Sequence, residues 1–187
     1  MNYQPRKWQT AAFDVVSRCN CSDEKCVVPV NACVGSGKTA VASYALGDFI
    51  AKNRSKKTFQ MFVTPRIKLC KQQAESIAED LQSMFGFANE KDYQIVRRDC
   101  SVDNGVKFNP KGEQYAQHII LVICDESLWG TDKKNDAAET GNANIRFQTY
   151  ISGFEKLAEA GYVFGNAAFD EAHNYTKKHD KIFGKKN

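Results

Sequence analysis

The most specific chemical pattern in this chain lies between positions 32 and 39. Its sequence, Ala-Cys-Val-Gly-Ser-Gly-Lys-Thr, matches a phosphate-binding loop in which alanine replaces the first glycine. Gly35 and Gly37 let the backbone turn so that successive N–H groups point inward and bind an anion with the N-terminus of the next helix. Lys38 can reach the β- and γ-phosphates of a nucleotide, and the Thr39 hydroxyl can ligate Mg²⁺. The residues predicted to bind the nucleotide are Val34, Gly35, Ser36, Gly37, Lys38 and Thr39.

A second group of polar residues, Asp170-Glu171-Ala172-His173, follows the apolar run 163–169. That run predicts a strand, so the two carboxylates would emerge at its carboxyl end, where ligands bind in open α/β sheets. We predict that Asp170 holds Mg²⁺, that Glu171 polarises the attacking water, and that His173 senses the γ-phosphate or connects to a nucleic-acid site. An acidic pair after a strand is commonly a solvated turn, but the phosphate loop in the same chain favours the catalytic interpretation.

The elements that must position these residues alternate between helices and strands. Apolar residues at helical spacing predict helices over 5–17, 38–51, 67–85 and 145–160. Short apolar or β-branched runs predict strands over 27–32, 58–64, 93–97, 118–124 and 163–169, of which the first is expected to be buried. Polar stretches predict loops over 100–112 and 130–144 and a basic tail over 176–187. The alternation predicts an α/β three-layer sandwich with a mainly parallel sheet, as a single domain over residues 1–187.

Composition limits the kind of protein this can be. The 187 residues are 42% hydrophobic and 26% charged, which is ordinary for a soluble globular domain. No apolar run is long enough to span a bilayer, and the first ten residues lack the apolar core of a signal peptide, so we expect a cytoplasmic protein without a membrane partner. The net charge of +4 is compatible with nucleic-acid binding and equally with a solvated mixed surface.

The seven cysteines are expected to be reduced, because no export signal is present. Cys19, Cys21 and Cys26 cluster in a short polar stretch, which raises the possibility of a zinc site. Their spacing is not the paired C-x-x-C of a zinc ribbon or finger, and a fourth nearby ligand is missing, so free loop thiols are favoured.

The loop at 32–39 and the tetrapeptide at 170–173 resemble those of DEAH-type superfamily 2 helicases. Within these helicases they are most similar to the group that contains restriction-enzyme translocase subunits and related DNA helicases. The resemblance extends from Arg6 to His173 and implies a RecA-like domain that binds ATP and Mg²⁺. Arg6-Lys7-Trp8-Gln9 resembles the family's adenine-contacting element, which implies that Gln9 reads the base with Arg6 beside it. A glutamine amide suits that role because it can donate and accept at once.

Two further segments resemble family motifs that contact nucleic acid. Val63-Thr64-Pro65-Arg66 is similar to motif Ia, which touches the backbone of the tracked strand, and this implies contacts from Thr64, Pro65 and Arg66. Cys124-Asp125-Glu126-Ser127-Leu128 resembles a Thr-x-x-Ser-Leu element with cysteine in the threonine position, which implies a contact from Ser127. The form of these motifs favours DNA as the track, with RNA less favoured.

The coupling motif and the second RecA-like domain of this family do not follow His173, where only a short tail is present. We therefore expect the first half of a helicase core, whose partner is a C-terminal RecA-like domain of the same protein, and which alone binds ATP-Mg²⁺ weakly and hydrolyses it poorly. The alternative is a truncated nucleotide-gated binding or regulatory module without catalytic turnover. A third possibility, a P-loop kinase or transporter ATPase, is disfavoured by the DEAH sequence and by Gln9.

Overall fold

The computed structural model describes residues 3–22, 24, 26–98, 115–125 and 145–171. For residues 145–149 the description covers the helical backbone only. The elements within these ranges are, in chain order, α1 (Lys7–Cys19), α2 (Lys38–Lys52), β1 (Lys57–Thr64), α3 (Ile67–Phe85), β2 (Gln94–Arg98), β3 (His118–Cys124), α4 (Ile145–Glu159) and β4 (Tyr162–Phe169). The predicted loops 100–112 and 130–144 and the tail 176–187 lie outside the described residues.

The four strands form one sheet in the order β2-β3-β1-β4, with every neighbouring pair parallel. The carboxyl ends of all four strands therefore lie at one edge of the sheet. At that edge Thr64 pairs with Cys124, and Val63 pairs with Phe169. The N–H of Asp170 donates to the carbonyl oxygen of Val63 at 2.9 Å, which fixes the residue after β4 beside the end of β1.

Helices cover both faces of the sheet because successive side chains of a strand point to opposite faces. On one face, α4 contributes Tyr150 and Leu157 to a cluster with alternate residues of β1 and β3, namely Phe59, Val63, Ile119, Leu121 and Ile123. On the other face, α2 and α3 pack against Phe62, Ile120 and Val122. All seven residues of β3 are buried, as expected for an interior parallel strand. The α/β three-layer prediction is confirmed.

Helix α1 packs outside α2 and carries the segment that approaches the phosphate loop. The rings of Phe13 and Tyr44 stack with centroids 4.0 Å apart. At the other end of α1, the Asn20 amide donates to Asp48 on α2 at 2.8 Å, and the Asn166 amide on β4 donates to the Asn20 side-chain oxygen at 3.0 Å. These contacts tie α1 to α2 and to the sheet, and so fix the position of its N-terminal turn.

The predicted buried strand 27–32 is wrong. These residues have no regular secondary structure, and Val27 is 92% exposed. Val28 and Val30 instead pack against the cluster formed by Phe13, Val16 and Val41. The physical reason lies in the sequence of the run itself, because Pro29 has no N–H to donate to a ladder and proline is found in sheets only at edges, strand starts and bulges.

None of the helices in the described part of the chain is long and apolar enough to cross a membrane.

Candidate functional site

The loop at 32–39 turns through two glycines in the left-handed region of backbone conformation. Gly35 has φ +74° and Gly37 has φ +89°, values that residues with a side chain rarely adopt. Gly37 is also the N-cap of α2, so the loop leads directly into the N-terminus of that helix. The first N–H groups of a helix have no partner within it, and together with the positive end of the helix dipole they attract an anion.

The ammonium of Lys38 folds back over the loop. Its Nζ donates to the carbonyl oxygen of Ala32 at 2.9 Å and to that of Cys33 at 3.4 Å. Among the described residues no carboxylate lies within ion-pair distance of this ammonium. Ala32, which stands where the phosphate-loop pattern has its first glycine, thus supplies a carbonyl that holds the lysine. The positive charge is held in place without being neutralised by these contacts.

The hydroxyl of Ser36 is a buried polar group in the centre of the loop. The residue is 6% exposed, and in the described part of the chain its Oγ makes no hydrogen bond. Leaving a buried hydroxyl without a partner costs about 1–3 kcal/mol. An anionic oxygen in the loop would accept from this hydroxyl, so the loop's polar groups fit a phosphate.

Asp170 and Glu171 occupy the turn after β4, at the carboxyl edge of the sheet. Burial raises the pKa of the Asp170 carboxyl, and the charge of Glu171 raises it further. The ammonium of Lys38 opposes this shift and lowers the pKa of Asp170. Glu171 adopts φ +52°, so the chain turns sharply where the two carboxylates leave the strand. Ala172 and His173 lie outside the described residues.

Side chains of the Arg6–Gln9 element donate hydrogen bonds to carbonyl oxygens of the loop. Arg6 Nη1 donates to the carbonyl of Ser36 at 3.1 Å, and Gln9 Nε2 donates to the carbonyl of Gly37 at 3.0 Å. Gln9 is 2% exposed, and its Oε1 accepts from the backbone N–H of Arg6 at 2.8 Å and from the hydroxyl of Tyr3 at 3.0 Å. Tyr3 was not among the residues identified from the sequence. A tyrosine six residues before a glutamine follows no periodic pattern, so the sequence carried no signal for this contact.

The residues proposed to touch nucleic acid differ in their access to solvent. Thr64 is fully buried at the end of β1, and within the described residues its hydroxyl has no hydrogen-bond partner. Pro65 is half-buried, whereas Arg66 is exposed and is the N-cap of α3. Ser127 lies outside the described residues. Of these four positions, Arg66 is the one that the structure shows presenting its side chain at the surface.

Cys19, Cys21 and Cys26 lie at the end of α1 and in the segment that follows it. The neighbouring Cys19 side chain raises the pKa of the Cys26 thiol, and Cys21 lies beside the ammonium of Lys52. No three His, Cys, Asp or Glu side chains in the described ranges come close enough together to hold a metal ion. None of the six cysteines whose state is described forms a disulfide bond.

The all-parallel sheet, the glycine loop at the N-terminus of α2 and the acidic turn at the carboxyl edge define a RecA-like α/β domain with a phosphate loop. A family model for the res subunit of type III restriction enzymes matches residues 2–186, and the chain belongs to that family. The family consists of N-terminal domains of helicase superfamily 2, so the chain is an ATP-binding domain of helicase type. No curated protein and no solved structure matches the chain.

Proposed function

We propose that the loop at 32–39 binds ATP with Mg²⁺, and that the chain hydrolyses ATP as the first motor domain of a DEAH-type DNA helicase or translocase when joined to a second RecA-like domain. One observation carries this proposal. Gly35 and Gly37 turn in the left-handed region directly before the N-terminus of α2, and the carbonyl of Ala32 holds the Lys38 ammonium over this loop at 2.9 Å. Asp170 follows β4 at the carboxyl edge of the sheet, and the charge of Lys38 lowers the pKa of its carboxyl. A site for phosphoryl transfer needs a cation for the phosphates and a carboxylate for the metal.

Each polar group of the loop has a role toward a triphosphate in this proposal. Lys38 exchanges its bonds to the Ala32 and Cys33 carbonyls for bonds to the β- and γ-phosphate oxygens. The Ser36 hydroxyl, which lacks a partner in the described structure, donates to a phosphate oxygen. The N–H groups of Val34, Gly35 and Gly37 complete the anion-binding cradle.

The residues around the acidic turn fit Mg²⁺, which prefers oxygen ligands. The Thr39 hydroxyl and the Asp170 carboxylate would hold the ion, and a bound Mg²⁺ would neutralise charge on the β- and γ-phosphates. Because burial and Glu171 raise the pKa of Asp170, a cation beside this carboxylate would favour its ionised form. Glu171 would orient and polarise the attacking water, and His173 would sense the γ-phosphate.

The remaining contacts in the proposal concern the base and the track. Arg6 and Gln9 donate to carbonyl oxygens of the loop. In this proposal the phosphates occupy the loop itself, and these two residues lie at the adenine end of ATP. Arg66, exposed at the N-terminus of α3, would bind a phosphate of the tracked DNA strand. Thr64 and Pro65 of the same motif, and Ser127 of the element that resembles Thr-x-x-Ser-Leu, are the other proposed contacts. Helicase membership favours nucleic acid as the partner, and DNA rather than RNA is our proposal for it.

The Mg²⁺ dependence of nucleotide binding tests the proposed site. A fluorescent ATP analogue is titrated into the protein with Mg²⁺ or with EDTA, using wild type and Asp170→Asn. We expect wild-type affinity to fall at least about tenfold in EDTA, and Asp170→Asn to lose most of this difference. Asp92→Asn is the control, because Asp92 accepts from the N–H of Ala88 ahead of β2, at the opposite end of the sheet. Equal wild-type affinity with and without Mg²⁺ would contradict the proposed metal site.

The DNA contact is tested separately by the salt dependence of binding to a single-stranded oligonucleotide. Arg66→Ala should weaken binding at low salt and reduce the slope of log affinity against log salt by about one. Lys71→Ala, on the exposed surface of the same helix, is the charge-matched control and should change neither quantity. Unchanged DNA binding by Arg66→Ala would show that Arg66 does not contact the DNA strand.

A further inference from the structure

The side-chain amide of Gln9 is almost fully engaged before any nucleotide is bound. A glutamine amide has two acceptor positions on its oxygen and two donor hydrogens on its nitrogen. The oxygen of Gln9 already accepts from Tyr3 Oη and from the Arg6 N–H, and the nitrogen already donates to the Gly37 carbonyl. One N–H of Nε2 is therefore the single group left for another partner.

The orientation of this amide is fixed by its neighbours. Flipping it would set the NH₂ group against the Arg6 N–H, which can only donate, and its oxygen against the Gly37 carbonyl, which can only accept. Nε2 also packs closely on the phosphate loop, since a Cβ at Gly37 would lie 2.7 Å from it. Gln9 is thus held as a donor toward the loop.

A donor alone cannot distinguish adenine from guanine. Both bases present the N7 acceptor, whereas the neighbouring group is the N6 amine, a donor, in adenine and the O6 carbonyl, an acceptor, in guanine. Recognition of the adenine amine requires an acceptor, and both acceptor positions of Gln9 Oε1 are taken. The Arg6 N–H is part of the backbone at the start of α1, so the Tyr3 hydroxyl is the occupant that a side-chain change can remove.

We propose that Tyr3 is a positioning residue that sets the base selectivity of the site, because its hydroxyl occupies the acceptor of Gln9 that an adenine amine would need. The wild-type site then discriminates weakly between ATP and GTP, and removal of the hydroxyl increases the preference for ATP. This inference rests on the proposed nucleotide site and specifies which bases that site accepts.

Tyr3→Phe isolates the hydroxyl from the rest of the side chain. The Tyr3 ring packs against Phe13 with centroids 6.2 Å apart, and its backbone N–H bonds to the Ser83 carbonyl, so phenylalanine keeps both contacts. A tyrosine phenol is protonated at neutral pH and can donate, and burial raises the pKa of Tyr3 further above that range. One hydrogen bond gained by the adenine amine corresponds to about a fivefold change in affinity.

The experiment measures dissociation constants for Mg-ATP and Mg-GTP on the same samples of wild type, Tyr3→Phe and Lys38→Ala. We expect the wild-type constants to agree within about threefold, and Tyr3→Phe to bind ATP about fivefold more tightly with GTP unchanged. The ratio of the two constants does not depend on the folded fraction of the sample, so a partly unfolded variant still gives a valid result. Lys38→Ala should weaken the binding of both nucleotides by the same factor, so the ratio of their dissociation constants should stay as in wild type.

Two results would overturn the role of Tyr3. One is a wild-type preference for ATP of more than about thirtyfold, which would show that Oε1 already accepts from the base. The other is an unchanged ATP to GTP ratio in Tyr3→Phe. Failure of the proposed function would give a different result. Either neither nucleotide would bind to wild type, or Lys38→Ala would bind both nucleotides as tightly as wild type does. Either result would also contradict the selectivity inference.

Discussion

The two left-handed glycines of the phosphate loop provide a matched pair of substitutions with different expected costs. Gly35 and Gly37 have similar positive φ values of +74° and +89°. A Cβ at Gly35 would meet nothing within 4 Å, whereas a Cβ at Gly37 would lie 2.7 Å from Gln9 Nε2. Alanine at either position therefore strains the backbone, but alanine at 37 must also displace the Gln9 side chain.

The magnitudes follow from these two effects. The left-handed conformation costs a residue with a Cβ about 1–2 kcal/mol, and this applies to both variants. Displacing Gln9 breaks its bond to the Gly37 carbonyl and leaves a buried amide without that partner, which costs about 1–3 kcal/mol more. We expect the free energy of unfolding to fall by about 1–2 kcal/mol in Gly35→Ala and by about 2–5 kcal/mol in Gly37→Ala. The entropy that alanine removes from the unfolded chain is the same at both positions and cancels in the comparison.

Urea-induced unfolding, followed by circular dichroism, measures both values. The same pair is then made in a Gln9→Ala background, where no long side chain opposes the new Cβ. In that background the extra cost of Gly37→Ala should disappear, leaving two similar values. Equal destabilisation by the two substitutions in the wild-type background, or an extra cost that persists without Gln9, would refute the account of this contact.

Three other regions of the fold give further tests. Burial and Arg54 lower the pKa of His118 below its ordinary 6.5. The folded state therefore binds fewer protons than the unfolded state, and stability is lost as the pH falls from 6.5 through the lowered pKa. Denaturation at pH 7.5 and 5.5 should show this loss in wild type and not in His118→Asn. A Cβ at Gly47 would overlap side chains of α3, so Gly47→Ala should lower the free energy of unfolding by about 1–3 kcal/mol despite its better helix propensity, and a more stable variant would contradict this packing. Asn166 donates to Asn20 and to the Ala45 carbonyl, so Asn166→Ala should cost about 1–3 kcal/mol in the same assay, and a neutral effect would show that the network does not hold α1.

Much of the fold is determined by local patterns that can be recognised in the sequence. The bounds of α3 and β3 agree with their predicted ranges, because α3 starts after Pro65 and ends at Gly86, and the seven residues of β3 form the most apolar run. The strand predicted at 27–32 failed because an apolar, β-branched run also suits an extended segment packed on a helix. Pro29, in the middle of this run, was the signal against a ladder.

The candidate site shows the same division between local and long-range information. The loop glycines and Asp170 could be found from the sequence, because turn conformation and the position after a strand are local properties. The bonds from Tyr3 to Gln9 and from Gln9 to Gly37 could not, since they depend on how α1 packs beside α2. The resemblance to a known motif predicts that Gln9 reads the base, and the structure adds that its amide is hydrogen-bonded to the Gly37 carbonyl of the loop.

Binding of Mg-ATP by wild type and by Lys38→Ala is the most direct test of the nucleotide site. Lys71→Ala is the control, because Lys71 is an exposed lysine of α3 that pairs only loosely with Glu75, at 3.8 Å. Loss of charge-assisted bonds to phosphate should weaken binding about 10- to 100-fold in Lys38→Ala and leave Lys71→Ala like wild type. Equal affinities for wild type and Lys38→Ala would contradict the claim that residues 32–39 form an ATP-binding loop.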